Sequence, residues 1–251
     1  IVTTDSGLGF GINKLVGGVV FCLGLVLVVV AGAELFTGNN LIVMAWVGGK
    51  LTLGQVMRNW LIVYVGNFIG SLAIVMFMYS TRQWMFSDYR VGAAALNIAV
   101  GKVNLSFSAA LSRGILCNAL VCLAVWLTLS GRSVTDKILA VLFPITAFVA
   151  SGFEHSVANM YFIPMGLLLK GEPKVVETAG RVAGDLALLN MEGFIDNLVA
   201  VTTGNIFGGS FLVALVYWFI YRRPKVRGTE EADRARGPAE ALQATADEAS
   251  G

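Results

Sequence analysis

The chain has 251 residues, of which 56% are hydrophobic and only 14% charged, and its mean hydropathy is +0.74. A soluble domain carries about 25% charged residues, so the composition excludes an ordinary water-soluble domain and describes a polytopic membrane protein. The net charge of +2 says little, because it is not concentrated into a basic patch of nucleic-acid size, and no nucleic-acid partner is expected.

Residues 1–14 are Gly-rich and too polar to cross a bilayer. A span is expected from about Leu15 to Ala33, near the roughly 20 residues a bilayer requires. It ends in a break from Gly32 to Asn40. Leu41–Val47 is apolar but too short to cross alone and reads as a half-helix, with a loop over 48–58. The next span covers about Trp60–Tyr79. Ser80–Asn104, with Arg82, Asp88, Arg90 and Lys102, reads as a long polar connection. Another span covers about Phe107–Leu129, and a turn with Arg132 follows. Lys137–Ala150 enters the membrane and meets a second break at Ser151–His155, from which Ser156–Leu169 leads out. Residues 170–196 read as a polar loop before the last span, about Leu198–Tyr221. Arg222, Arg223, Lys225 and Arg227 follow at once, which favours a cytoplasmic C-terminus. Residues 222–251 lack an apolar face and read as a disordered cytoplasmic tail. Cys22, Cys117 and Cys122 all lie in apolar runs, at spacings that fit neither a disulfide framework nor a metal site.

The second break holds the sole histidine, His155, beside Glu154. Ionisable residues inside a membrane are costly, so this pair is a candidate functional site. The first break echoes it. Gly32-Ala33-Glu34 leads to Asn39 just as Gly152-Phe153-Glu154 leads to Asn159. Downstream, Asn59 precedes Gly66-Asn67-Phe68-Ile69-Gly70, and Asn197 precedes Gly204-Asn205-Ile206-Phe207-Gly208. A broken helix followed by Asn-x6-Gly-Asn-x2-Gly therefore occurs twice. Such repeats, inverted in the membrane, characterise transporters and place the substrate between discontinuous helices. The two breaks are expected to face each other and form one site. The second copy has a full span before its broken helix and the first has none. The spans present number five, so a further span is expected upstream of Ile1, and the channel domain, residues 1–221, is expected to be N-terminally truncated.

On these motifs the chain resembles the formate/nitrite transporter family, most closely its formate channel branch. The resemblance rests on Gly32-Ala33-Glu34-Leu35-Phe36-Thr37, on the run from Gly114 to Trp126, on Ser130-Gly131-Arg132-Ser133 with Asp136-Lys137, and on Gly152-Phe153-Glu154-His155-Ser156-Val157-Ala158-Asn159-Met160. It implies an all-α, aquaporin-like bundle of two inverted repeats with broken helices. It also implies a homopentamer with one pore per protomer, in the inner (plasma) membrane. By resemblance His155 is the central pore histidine and Thr37 its partner on the opposite broken helix. Phe21, Leu25 and Phe148 correspond to apolar constrictions, Asn118, Val121 and Asn205 to further pore-lining positions, and Lys102 to a lysine that attracts anions at the outer mouth. Gly38-Asn39-Asn40 after Thr37 departs from the formate channels, which often carry other small polar residues there.

Bottom-up alternatives stand beside these roles. Thr37 is placed to cap the half-helix near Gly38. Glu34 and Glu154, matched at both breaks, fit backbone anchoring, with Asn39 and Asn159 beside them. Without the resemblance, Lys102 is an ordinary solvated loop charge, Phe21, Leu25 and Phe148 are plain packing, and Asn67 and Asn205 with their glycines are helix-crossing points. The expected function is proton-linked passage of formate through the pore histidine, with nitrite, acetate or hydrosulfide as alternative anions. A water or glycerol pore is disfavoured because no Asn-Pro-Ala triplet occurs. An intramembrane enzyme has little to work with, since there is neither a triad nor a metal-ligand set, and no cofactor is expected.

Overall fold

The computed structural model describes residues 7–222, and these are all-helical. Helix α1 covers Phe10–Ala31. A 3-10 stretch, Gly38–Ile42, leads into the short α2, Val43–Val47. Helix α3 is Leu53–Ser80, α4 is Arg90–Val103 and α5 is Phe107–Thr128. The second broken pair is α6, Val134–Ala150, and α7, Ser156–Leu169. A short α8, Pro173–Thr178, precedes α9, Met191–Ile206, which continues as π-helix over Phe207–Leu215 and Trp218–Arg222. Among the described residues four helices are long and apolar enough to cross a bilayer: Phe10–Ala31, Leu53–Ser80, Phe107–Thr128 and Met191–Tyr221. The expected tail falls almost wholly on residues 223–251, outside the described part.

Repeat-equivalent helices run antiparallel to each other, as inversion requires. On α1 and α6, the Gly18 position abuts the Thr146 backbone, and Cys22 Sγ lies 3.5 Å from the Leu142 carbonyl. On α3 and α9, Tyr64 Oη bonds Thr202 Oγ1 at 3.0 Å, and Phe68 stacks on Phe194. Both breaks turn on a glycine in the left-handed region, Gly32 at φ +76° and Gly152 at φ +69°, where a side chain would be strained.

Three segments differ from the sequence reading. Residues 80–104 are not an open connection. Within them α4 buries Gly92, Ala93, Leu96, Ala99, Val100 and Val103, a stripe at helical spacing, and packs on α7. Its 14 residues are too few to span, and Asn97 and Lys102 interrupt its apolar run, so hydropathy alone passes over it. Residues 170–196 are likewise not a solvated loop. Val175, Leu186 and Leu189 sink into the same core as Leu96, Ile163 and Leu169. The loop expected over 48–58 ends early, because Thr52 and Gln55 form a capping box that starts α3 at Leu53. Thr-x-x-Gln is a readable start signal.

The close packing expected at the repeated glycines occurs in one copy. A Cβ on Gly204 or Gly208 would run into the backbone of α5 at Leu111 and Ile115, and one on Gly114 would lie 2.9 Å from the Val201 carbonyl. Backbones meet there without side chains between them. Gly66 and Gly70, the equivalents on α3, have nothing within 4 Å. Around them Leu61, Ile62, Ile69 and Phe77 are exposed.

Candidate functional site

The chain between α6 and α7 is held at several points. Phe153 N–H donates to the Phe148 carbonyl, and Glu154 N–H donates to the Arg113 carbonyl on α5 at 3.3 Å. His155 then caps α7, its Nδ1 accepting the Ala158 N–H at 3.1 Å. That bond requires an unprotonated Nδ1, which assigns the neutral ring's proton to Nε2. Nε2 lies 2.9 Å from Thr37 Oγ1, so the ring donates to the hydroxyl. Thr37 and His155 are both buried, and their bond joins the two breaks face to face. The capping role considered for Thr37 is absent. Its side chain makes no cap bond and is committed to His155.

Behind this contact the two halves carry the same scaffold. Asn39 Nδ2 donates to Glu34 Oε2 at 2.6 Å and to Asn59 Oδ1 at 3.0 Å. Asn159 Nδ2 donates to Glu154 Oε2 at 2.7 Å and to Asn197 Oδ1 at 2.8 Å. Asn67 accepts the Phe36 N–H and donates to the Glu34 carbonyl, both at 3.0 Å. Asn205 accepts the Ser156 N–H at 2.9 Å and donates to the Glu154 carbonyl at 3.0 Å. The glutamate and the three asparagines of the sequence repeat thus have the same structural reason in both halves. A broken helix exposes backbone groups that lipid cannot satisfy, and the glutamate and three asparagines satisfy or position them.

The halves differ in charge compensation. Lys102 Nζ binds both oxygens of Glu154, at 3.1 and 3.0 Å, with side-chain exposures of only 14% and 5%. Lys102 is therefore not a solvated loop charge; it closes α4 onto the break. Glu154 ties together Lys102 and Asn159. Glu34 is exposed and has no cation within ion-pair distance among the described residues.

His155 faces an apolar cavity of about 190 Å³ that includes Phe21, Leu25, Leu35, Val121, Phe148 and Val157 in its wall. Phe21 and Phe148 meet edge to face at 5.6 Å, and Phe148 lies stacked 6.1 Å from the imidazole. On the far side of these rings is a vestibule of about 460 Å³ bordered by Lys14, Asn97, Lys102, Arg113 and Glu154. The two spaces share Phe21, Phe148, His155 and Ala158, so two aromatic rings and the imidazole form the partition between them.

Phe21, Leu25, Val121 and Phe148 are thus gathered round His155. Asn118 and Asn205 are not in that wall. Both are fully buried and spent on helix bracing, Asn118 Nδ2 to the Asn205 carbonyl at 2.7 Å and Asn205 Nδ2 to the Gly114 carbonyl at 2.8 Å. Sequence reasoning missed the residues that support Thr37. Asn40 Nδ2 donates to the Phe36 carbonyl at 2.8 Å, Ser210 Oγ donates to Asn40 Oδ1 at 3.2 Å, and Cys122 Sγ reaches the Thr37 carbonyl at 3.5 Å. Ser210 stands in the π-helical part of α9 directly after Gly208-Gly209, where a second glycine allows Asn118, Asn40 and Cys122 to close in. That glycine pair was the available signal. Among the described residues no group of histidine, cysteine and carboxylate side chains could hold a metal ion.

The sequence model of the formate/nitrite transporter family matches residues 1–219. The chain belongs to the formate/nitrite transporter family. Among its members, the formate channel FocA of Escherichia coli strain K12 is 46% identical over 88% of this chain and 80% of its own length. The FocA of Haemophilus influenzae is 43% identical over 85% of this chain and 76% of its own. A solved pentameric formate channel with formate bound superposes with a TM-score of 0.80 at 43% identity, covering 88% of each chain. A second structure, an FNT family ion channel, gives 0.70 at 29% identity, over 85% of this chain and 80% of its own. As a member of this family the protein is a multi-pass membrane protein, and its all-helical architecture is that of the family's channels.

Proposed function

We propose that this protein carries formate across the inner membrane, that each protomer of a homopentamer has its own pore, and that a proton travels with the anion by way of His155. The observation that carries the reading is the placement of His155. It is buried, bonded to Thr37, and set in a partition between a cationic vestibule and an apolar cavity. A bare carboxylate entering that cavity would lose its hydration with little in return, a cost of several kcal/mol. Formate escapes the cost by becoming formic acid. In the net step an imidazolium and formate become imidazole and formic acid. The Ala158 N–H bond to Nδ1 exists only while that nitrogen is unprotonated, so the helix cap disfavours the imidazolium and favours handing the proton on. Phe21, Leu25 and Phe148 then exclude ions that cannot be neutralised. The relatives named as formate channels support formate over nitrite, acetate or hydrosulfide as the substrate.

The basic run from Arg222 to Arg227 supports a cytoplasmic C-terminus. The open glycine face of α3, set against the filled face of α9, supports a further span upstream of Ile1 that would occupy it. The decisive experiment is uptake by proteoliposomes under an imposed pH gradient, with formate, nitrite, acetate and hydrosulfide side by side. Wild-type protein is expected to take up formate faster when the outside is acidic, and His155→Phe to lose that dependence. Unchanged uptake by the variant would refute the proton role, and flux of another anion without formate would refute the substrate.

A further inference from the structure

Three cations and one carboxylate border the vestibule: Lys14, Lys102, Arg113 and Glu154. Lys102, the residue to which the family resemblance gives anion attraction, is held by both oxygens of Glu154 and is nearly buried. To a distant anion the two form a neutral pair with a short-range field. The uncompensated positive charge of the vestibule is therefore carried by Lys14 and Arg113.

These two are not equivalently placed. Lys14 lies in the exposed early turns of α1, its ammonium 5.5 Å from the Phe10 ring, seven residues and so roughly 10 Å above Phe21 along the helix. Arg113 stands at the level of the break itself. Its carbonyl receives the Glu154 N–H, one residue before His155. Gly114 beside it is packed against the α9 backbone, so the backbone of Arg113 is fixed on two sides. Its side chain is exposed and makes no hydrogen bond or ion pair among the described residues. A guanidinium is always charged and presents a planar fork that matches a carboxylate.

We propose that Arg113 is the anion-capturing and positioning residue of the outer vestibule, holding a small carboxylate by its fork before the anion meets the Phe21–Phe148 partition. Lys102 acts instead as the structural clamp on Glu154. The inference rests on the transport reading above and adds to it the residue that sets apparent affinity. It makes this pore's capture step specific to carboxylate-like planar anions, since a fork offers two parallel donors and a lone ammonium does not.

The test uses the full chain in proteoliposomes, with formate as the probe. Arg113→Gln is expected to raise the half-saturating formate concentration roughly three- to tenfold at low ionic strength, in line with the loss of one focusing charge from a cleft, while maximal flux stays within about twofold. The difference should shrink at about 0.5 M salt, where screening is short-ranged. Arg113→Lys should restore the charge-dependent part but keep a weaker preference for formate over chloride. Lys14→Gln is expected to move the half-saturating concentration less than Arg113→Gln does. An Arg113→Gln protein with wild-type affinity and salt dependence, alongside a wild type that carries formate, overturns the inference and leaves the transport reading standing. A loss confined to maximal flux also overturns it. A wild type that moves no small anion at all overturns the transport reading and the inference with it.

Discussion

Replacing Asn205 by alanine probes the scaffold on which the site depends. Asn205 is fully buried and its amide makes three bonds to backbone: from the Ser156 N–H at 2.9 Å, to the Gly114 carbonyl at 2.8 Å and to the Glu154 carbonyl at 3.0 Å. Those groups belong to α7, α5 and the break between α6 and α7, so one side chain ties three elements. Interhelical hydrogen bonds in membrane proteins average about 0.6 kcal/mol, and bonds in soluble proteins about 1 kcal/mol. Asn205→Ala should therefore cost about 2–3 kcal/mol, which corresponds to roughly 5–10 °C in midpoint for a chain of this size. The control is Asn67→Ala at the equivalent place in the first half, where two bonds are lost at a half-buried site; its cost should be smaller, about 1–2 kcal/mol. Thermal and denaturant unfolding of the purified proteins in the same detergent measures both. Formate flux should fall with Asn205→Ala, because Ser156 and Glu154 flank His155 and lose their register. A destabilisation below about 1 kcal/mol, or equal effects at the two asparagines, would refute the bracing argument.

Lys102→Met should destabilise the fold by about 3–5 kcal/mol, because it leaves the Glu154 carboxylate buried without its cation. Most of that loss should return in the Lys102→Met, Glu154→Gln double variant, as measured by unfolding, and no recovery would mean that the pair is not coupled. At the N-terminal end of α6, the backbone N–H groups of Ser133 and Arg132 hold the Asp136 carboxyl below the usual carboxylate range. Since its folded pKa is depressed, its capping contribution is present above the ordinary aspartate range and disappears as pH falls through the lowered value. Asp136→Ala should thus reduce the unfolding midpoint at neutral pH and not at the most acid pH the wild type survives.

The parts of this structure legible in the sequence are those where chemistry in lipid leaves few choices. A broken helix needs a turn residue and partners for its freed backbone groups, so Gly32, Glu34, Asn39, Asn59 and Asn67 recur as Gly152, Glu154, Asn159, Asn197 and Asn205. The same reasoning could not find α4, whose 14 residues do not span and whose stripe of alanine and glycine carries little hydropathy. It misjudged Lys102 because an ion pair joins residues 52 apart in sequence, and nothing local marks a lysine as paired. Asn118 and Asn205 show the converse limit. A buried asparagine can line a pore or brace a backbone, and only the positions of its partners distinguish the two.

The inverted repeat exchanges Leu35 with His155 and Thr37 with Val157, and this exchange bears directly on how the site treats charge. Thr37 and His155 form the one polar contact between the breaks among the described residues, while Leu35 and Val157 both face the cavity. A site equal in its two halves would offer either two polar pairs or none. Two pairs could solvate a bare anion from both sides, and none would offer a carboxylate no foothold. One pair against an apolar wall lets an anion bind but leaves it under-solvated, and protonation then becomes the way forward. Val157→Thr adds a hydroxyl to the apolar side without touching His155 or Thr37, and it is nearly equal in volume. It should weaken the link between formate flux and proton supply and admit ions that cannot be protonated, so chloride leak into proteoliposomes should rise roughly tenfold or more, since each new hydrogen bond to a charged group is worth about 1.5–3 kcal/mol. Chloride permeability unchanged in Val157→Thr, with formate uptake still fully dependent on the pH gradient, would show that the apolar face is not what enforces proton coupling.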